Sequence, residues 1–190
     1  MTIFSLFFRP HDFVHCLEQS RGRLYRVAYS WCYDAALADD LVQETLSKAL
    51  GKSAQLRDPE RLPRWLFSIL SHCWYDHLRR QRDTQDIDEM QDSMSQALSD
   101  PQPGPEEAHA RRETADRVRK AVAALPPGQR QVLTLVDLEE FSYGEVAEIL
   151  DIPIGTVMSR LCRARRSLKA GLLDLQPVQV KALPVIRRIK

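Results

Sequence analysis

The sequence lacks most features that mark an enzyme, a secreted protein or a membrane protein. Its 190 residues include only four cysteines, Cys16, Cys32, Cys73 and Cys162, widely spaced and without a CxxC pair. That spacing makes neither a zinc site nor a disulfide framework, and it points to a reducing compartment. The seven glycines form no phosphate-binding loop, and no metal-ligand cluster occurs. The five histidines lack the company a catalytic site needs: the His11/His15 pair has no obvious acid or thiolate partner except Cys16 beside it. The apolar stretch 3–8 has no charged segment before it, ends at Arg9-Pro10 and is too short for a signal sequence or a membrane span. The expectation is a cytoplasmic protein that is not an enzyme, with no cofactor, metal or small-molecule substrate. Strand-like alternation is also missing, which leaves an all-α fold.

Net charge is almost absent too. The 27 Lys and Arg stand against 26 Asp and Glu, a total of +1. Taken alone, near-neutrality argues against a polyanion partner, because such binding domains are usually basic. The total hides three blocks. Residues 1–82 carry 12 basic and 9 acidic side chains (+3), residues 83–110 none basic and 8 acidic (−8), and residues 111–190 15 basic and 9 acidic (+6). The middle block contains Pro101, Pro103, Gly104 and Pro105 but few large apolar side chains. Such a composition cannot repay the entropy of folding and reads as a flexible linker. The expected organisation is a helical unit at 1–82, a linker at 83–110, a second helical unit at 111–173 and a tail at 174–190. Units of roughly 80 residues lie near the lower limit for an independent core and often lean on a partner.

What the chain does have is helical periodicity, within an ordinary soluble composition of 44% hydrophobic and 28% charged residues. Phe13, Leu17, Leu24, Val27, Ala28 and Trp31 recur at helical spacing. Asp34 can cap a second helix with a buried stripe of Leu37, Leu41, Leu46 and Leu50, ended by Gly51. After Asp58-Pro59, an apolar stretch from Leu62 to Leu78 reads either as one central helix or as two with a break. In the second unit, helices are expected at about 111–125 and 128–138. Ser142 and Glu145 then have capping-box spacing, and Phe141 and Val146 hydrophobic-staple spacing. Asp151-Ile152-Pro153 breaks that helix, and another starts between Pro153 and Thr156.

Short helices, a tight turn and a longer basic helix make a helix-turn-helix pattern. Ile154, Val157, Leu161, Ala164, Leu168 and Leu172 form one stripe of the last helix, and Thr156, Ser159, Arg160, Arg163 and Arg166 fall on other faces. Between Gly155 and Ala170 there are five basic residues and no acidic one. One side can serve the core, while the other offers donors to phosphates and base edges.

LPPGQRQVLTLVDLEEFSYGEVAEILDIPIGTVMSRLCRARRSL (125–168) resembles region 4 of bacterial sigma-70-type initiation factors, and more specifically their compact extracytoplasmic-function (ECF) group. DDLVQETLSKAL (39–50) is similar to region 2.2, and the run from RWLFSIL (64–70) to YDHLRRQR (75–82) is similar to regions 2.3 and 2.4. The resemblance implies that Asp39, Asp40, Gln43 and Glu44 dock on core RNA polymerase. It implies that His72, Tyr75, Asp76, Arg79 and Arg80, with Arg82, engage the −10 element of promoter DNA. Thr156, Ser159, Arg160 and Arg163 would read the −35 element, with Arg166 on a phosphate. Trp65, Phe67 and Trp74 are expected in the core. His72 and Asp76 stand where the family often has asparagines, which leaves the −10 base preference open. Met158 replaces a usual basic or polar residue, and Asp151 replaces a turn Gly. The resemblance also implies that the acidic linker enters a basic nucleic-acid channel of the polymerase, and that an anti-sigma factor, free or membrane-anchored, sequesters the protein. The rival reading is a helix-turn-helix regulator acting without core polymerase, which predicts tight duplex binding by the chain alone. A helical hydrolase or transferase is a more distant one.

Overall fold

A computed structural model describes residues 10–56, 58–85 and 115–172. The stretch 3–8, the expected linker beyond its first three residues and the tail at 174–190 lie outside the described residues. So do the proposed role of the linker acids and the Arg82 side chain.

All regular structure among the described residues is helical. Helix α1 (Pro10–Cys32) buries the expected stripe: Phe13, Leu17, Leu24, Val27, Ala28 and Trp31. It ends at Tyr33, whose left-handed backbone (φ 55°) turns the chain while its N–H bonds back to Tyr29 O at 2.8 Å. The Asp34 carboxylate then accepts from Leu37 N at 3.0 Å and starts α2 (Ala35–Gly51). The buried stripe of α2 differs from the expected one. Ala38, Leu41, Val42, Thr45 and Ala49 face the core, Leu37 and Leu46 are half-buried, and Leu50 is 49% exposed. Small side chains at 38 and 49 allow close helix approach, and that turns the larger leucines aside.

Two 3-10 turns, Ser53–Gln55 and Pro59–Arg61, lead to α3 (Leu62–Gln85), a single unbroken helix that continues three residues past the expected boundary at 82. Phe67 and Trp74 are buried, and Trp65 is half-buried. The second unit holds α4 (115–123), α5 (Pro127–Leu133), a π-helical turn (Thr134–Leu138), α6 (Tyr143–Leu150) and α7 (Ile154–Gly171). The π turn occupies the end of the helix expected to reach residue 138.

The capping box is present. Ser142 Oγ accepts from Glu145 N at 3.3 Å, and the Glu145 carboxylate accepts from Ser142 N at 2.9 Å and from its hydroxyl at 2.7 Å. The Ser142 hydroxyl and backbone N–H hold the Glu145 carboxyl below its ordinary pKa. A depressed carboxyl contributes stability above its unfolded pKa and loses it as pH falls through the folded one. Ser142→Ala should therefore cost about 1 kcal/mol at neutral pH. The gap from wild type should narrow on acidification below the ordinary glutamate range, as read by thermal unfolding at both pH values. Asp151 closes α6 in the left-handed conformation (φ 50°, ψ 52°), so the helix-turn-helix turn forms without glycine.

The two units do not keep separate cores. Helix α1 packs on α2 and α3, α7 packs on α5 and α6, and α6 lies against α3, so that apolar residues of both halves join one cluster. Each half is small for a self-sufficient core, and apposing them buries surface that neither covers alone.

Candidate nucleic-acid interface

Burial sets the orientation of α7. Val157, Leu161 and Ala164 face the core, and Leu168 is half-buried. Ile154, expected in the same stripe, is 52% exposed. At about 100° per residue, the line opposite the buried side runs through Gly155, Ser159, Cys162 and Arg166, all exposed. Arg163 stands beside this line, with Nε and Nη2 donating to the Ser159 carbonyl and hydroxyl, both at 3.3 Å. Thr156 and Arg160 lie on one flank, both half-buried. The Arg160 guanidinium rests so close to Gly128, at the start of α5, that a side chain there would meet it at 3.0 Å. On the other flank are Ile154, Met158 (54% exposed) and Arg165, which is paired with Asp137 of the π turn. Two residues on the exposed side, Met158 and Cys162, were not among those expected to read DNA. Their exposure is a tertiary fact, although both lie on the non-apolar side of the wheel.

On α3, His72 is exposed and its Nδ1 lies 2.6 Å from Ser68 O. A carbonyl only accepts, so the bond places a proton on Nδ1. Arg79 donates to Asp76 at 2.9 Å, and Arg80 is exposed. Tyr75 is 39% exposed, and its hydroxyl donates to Gln131 Oε1 of α5 at 2.9 Å. Four of these residues thus share an accessible strip, while Tyr75 reaches into the other half of the molecule.

On α2, Asp40, Gln43, Ser47 and Leu50 follow each other at steps of three or four and are all exposed. Asp39 flanks them 3.5 Å from Arg21, and Glu44 pairs with Lys48 at 2.8 Å. The outward line therefore has an apolar end at Leu50 that the stripe read from sequence had assigned to the core. Among the described residues, no group of His, Cys, Asp and Glu could hold a metal ion, and no helix is long and apolar enough to cross a membrane.

Residues 16–84 match the family described as Sigma-70 region 2, and residues 115–168 match Sigma-70, region 4. The chain is 40% identical over 146 residues to the ECF RNA polymerase sigma factor EcfG of Rhodopseudomonas palustris (strain TIE-1), covering 76% of each chain. The chain belongs to the ECF sigma factors. It is also 27% identical to the ECF sigma factor SigW of Bacillus subtilis (strain 168), over 86% of this chain and 90% of that one. Among solved structures, the sigma factor RpoE in complex with the anti-sigma factor NepR from Bartonella quintana superposes with a TM-score of 0.73. The identity is 32%, over 87% of this chain and 99% of that one. CnrH in complex with the cytosolic domain of CnrY gives a TM-score of 0.57 at 25% identity, over 89% and 92% of the two chains. The two matched regions of this ECF sigma factor coincide with α1–α3, which carry the exposed strips of α2 and α3, and with α4–α7, which carry the exposed basic side of α7.

Proposed function

We propose that this ECF sigma factor binds core RNA polymerase, directs it to promoters with −35 and −10 elements and assists melting of the −10 duplex. The observation that carries this is the presence of both sigma regions in order on one chain, the second ending in a helix whose outward face bears basic side chains and no acid. Thr156, Ser159, Arg160 and Arg163 are assigned to the −35 bases and Arg166 to a phosphate; Met158 and Cys162 join them as apolar contacts to base edges. His72, Tyr75, Asp76, Arg79 and Arg80 are assigned to the −10 strand, where cations and a planar ring suit an unstacked backbone and base. The protein acts in the cytoplasm and is not an enzyme. The complex of the sigma factor RpoE with the anti-sigma factor NepR supports control by an anti-sigma factor here as well.

Asp39, Asp40, Gln43 and Glu44, together with Leu50, are assigned to the polymerase. Leu50→Asp should weaken core binding by at least about tenfold, as expected for an exposed apolar anchor within an interface. Its effect on folding stability should stay within about 0.5 kcal/mol, because the side chain is already exposed. Competition against a second sigma factor for limiting core enzyme measures the first quantity and denaturant unfolding the second. Run-off transcription with purified core polymerase on a promoter library tests the whole assignment. Stimulation of a subset of promoters is expected; no stimulation of any, or tight duplex binding by the chain alone, would overturn it.

A further inference from the structure

Arg160 is held differently from its neighbours on α7. Among the described residues it makes no hydrogen bond and no ion pair, whereas Arg163 donates to Ser159 and Arg165 pairs with Asp137. Yet Arg160 is half-buried. A partly desolvated cation whose N–H donors find no acceptor in the protein is costly unless an acceptor arrives from outside. What holds the group in place is shape. A Cβ at Gly128 would stand 3.0 Å from Arg160 Nη1, 3.1 Å from Cζ and 3.4 Å from Nε. A position beside the edge of the guanidinium would lie nearer to both nitrogens than to Cζ. Here Cζ is as close as the nitrogens, so the position lies over the flat face. The guanidinium is therefore stacked on the bare start of α5. Its donors lie in the plane of the group and are not turned toward Gly128.

The start of α5 is a firm seat. Pro126 and Pro127 fix two successive φ angles there, and Arg130 donates to the carbonyls of Ala123 and Leu125, the latter at 3.0 Å. Glycine is a costly residue to order in such a place, because it has the most conformational freedom to lose. Its backbone does not call for glycine, since no glycine among the described residues has a positive φ. Nor is close approach general: at Gly22, Gly51, Gly144 and Gly155 an added Cβ meets nothing within 4 Å. At Gly128 the three nearest atoms all belong to Arg160. The missing side chain therefore makes room for that guanidinium.

We propose that Gly128 is a positioning residue for −35 reading: the bare backbone seats the Arg160 guanidinium flat against α5, so that its in-plane donors meet one base of the −35 element in a preset direction. This rests on the promoter-directing function and on the role of Arg160 in it. Base edges present acceptors in fixed geometry, and such a contact loses discrimination when the donor group is displaced by about 0.5 Å or turned by about 10–20°. A methyl group at 128 forces a move of that size. To reach ordinary contact at 3.4–4 Å, Nη1 must retreat by about 0.4–1 Å from 3.0 Å. The displacement falls on the end of a flexible side chain, so the fold is spared, and α5 receives a better helix former.

Gly128→Ala in the full-length chain bound to core polymerase tests this, on duplexes that vary base by base through the −35 element. Affinity for the preferred sequence should fall about three- to tenfold, and preference should flatten at the base position that Arg160→Ala also flattens. In an Arg160→Ala background Gly128→Ala should change nothing further. In the free chain the thermal midpoint should stay level or rise, and the Arg160 Nε–H resonance should shift, reporting the displaced guanidinium without DNA.

An unchanged −35 profile in Gly128→Ala would overturn the positioning role, whether or not the Arg160 resonance moves. An equal loss in the Arg160→Ala background would do the same, because Gly128 would then act on DNA by itself. A Gly128→Ala chain that does not fold also sinks it, since the glycine would then serve α5 and not Arg160. A wild-type holoenzyme with no −35 preference overturns the promoter-directing function and the positioning role together. A preference that Arg160→Ala leaves intact keeps the function and removes only Arg160 and its seat.

Discussion

Arg163→Ala should weaken binding of the holoenzyme to its −35 duplex by about 1–3 kcal/mol, or roughly 5- to 150-fold. The side chain is exposed beside the outward line of α7, its fork folded back only onto Ser159 at 3.3 Å. Those weak internal bonds exchange readily for the two acceptors of a guanine edge, so little is lost on docking. Arg160 is placed differently. It already lies against the start of α5 at Gly128, so its replacement perturbs packing as well as contact, and Arg163 is the cleaner test. The discriminating measurement is binding to a set of −35 sequences at several salt concentrations. Arg163→Ala should flatten the preference at one base position. Arg166→Ala, acting on phosphate, should weaken all sequences alike and reduce the salt slope by about 1. Unchanged preference and affinity in Arg163→Ala would remove that residue from base reading.

Phe67→Ala should destabilise the protein by about 3–5 kcal/mol, a large share of the stability of a domain this size. Its ring is 1% exposed and packs edge-on against Phe141 under the Arg23 guanidinium. It therefore belongs to the core of the first half and to the seam with the second. Denaturant unfolding measures the loss. A double-mutant cycle with Phe141→Ala divides it, because a closed seam predicts a coupling of about 0.5–1.5 kcal/mol between the rings. A coupling near zero would mean that the rings do not meet in solution.

Where local chemistry decides, the sequence was legible. The period of α1 identified its buried residues, Asp34 and the Ser142–Glu145 pair marked two helix starts, and Asp151-Ile152-Pro153 marked the break after α6. Leu50 and Ile154 show where that legibility ends. Each continues an apolar period, yet each is solvent-exposed. Periodicity groups residues by angle, but which of two adjacent stripes is covered depends on the neighbouring helix. On α2 the small Ala38 and Ala49 settle it by permitting closer packing. The exposed faces shifted accordingly: Leu50 joined the outward line of α2 proposed for the polymerase, and Met158 and Cys162 joined the exposed side of α7 proposed for DNA.

By itself the sequence determined the all-α class, the caps of α2 and α6, the basic face of α7 and membership of the ECF sigma factors, because each rests on residues a few positions apart or on matched motifs. Only the tertiary structure decided that the two halves share one core and that Tyr75 answers to Gln131. Arg23 and Glu139 are 116 residues apart, and Trp31 and Thr134 are 103 apart. Pairs at such separations leave no periodic trace in a single chain, since neither partner's local pattern needs the other until the helices pack.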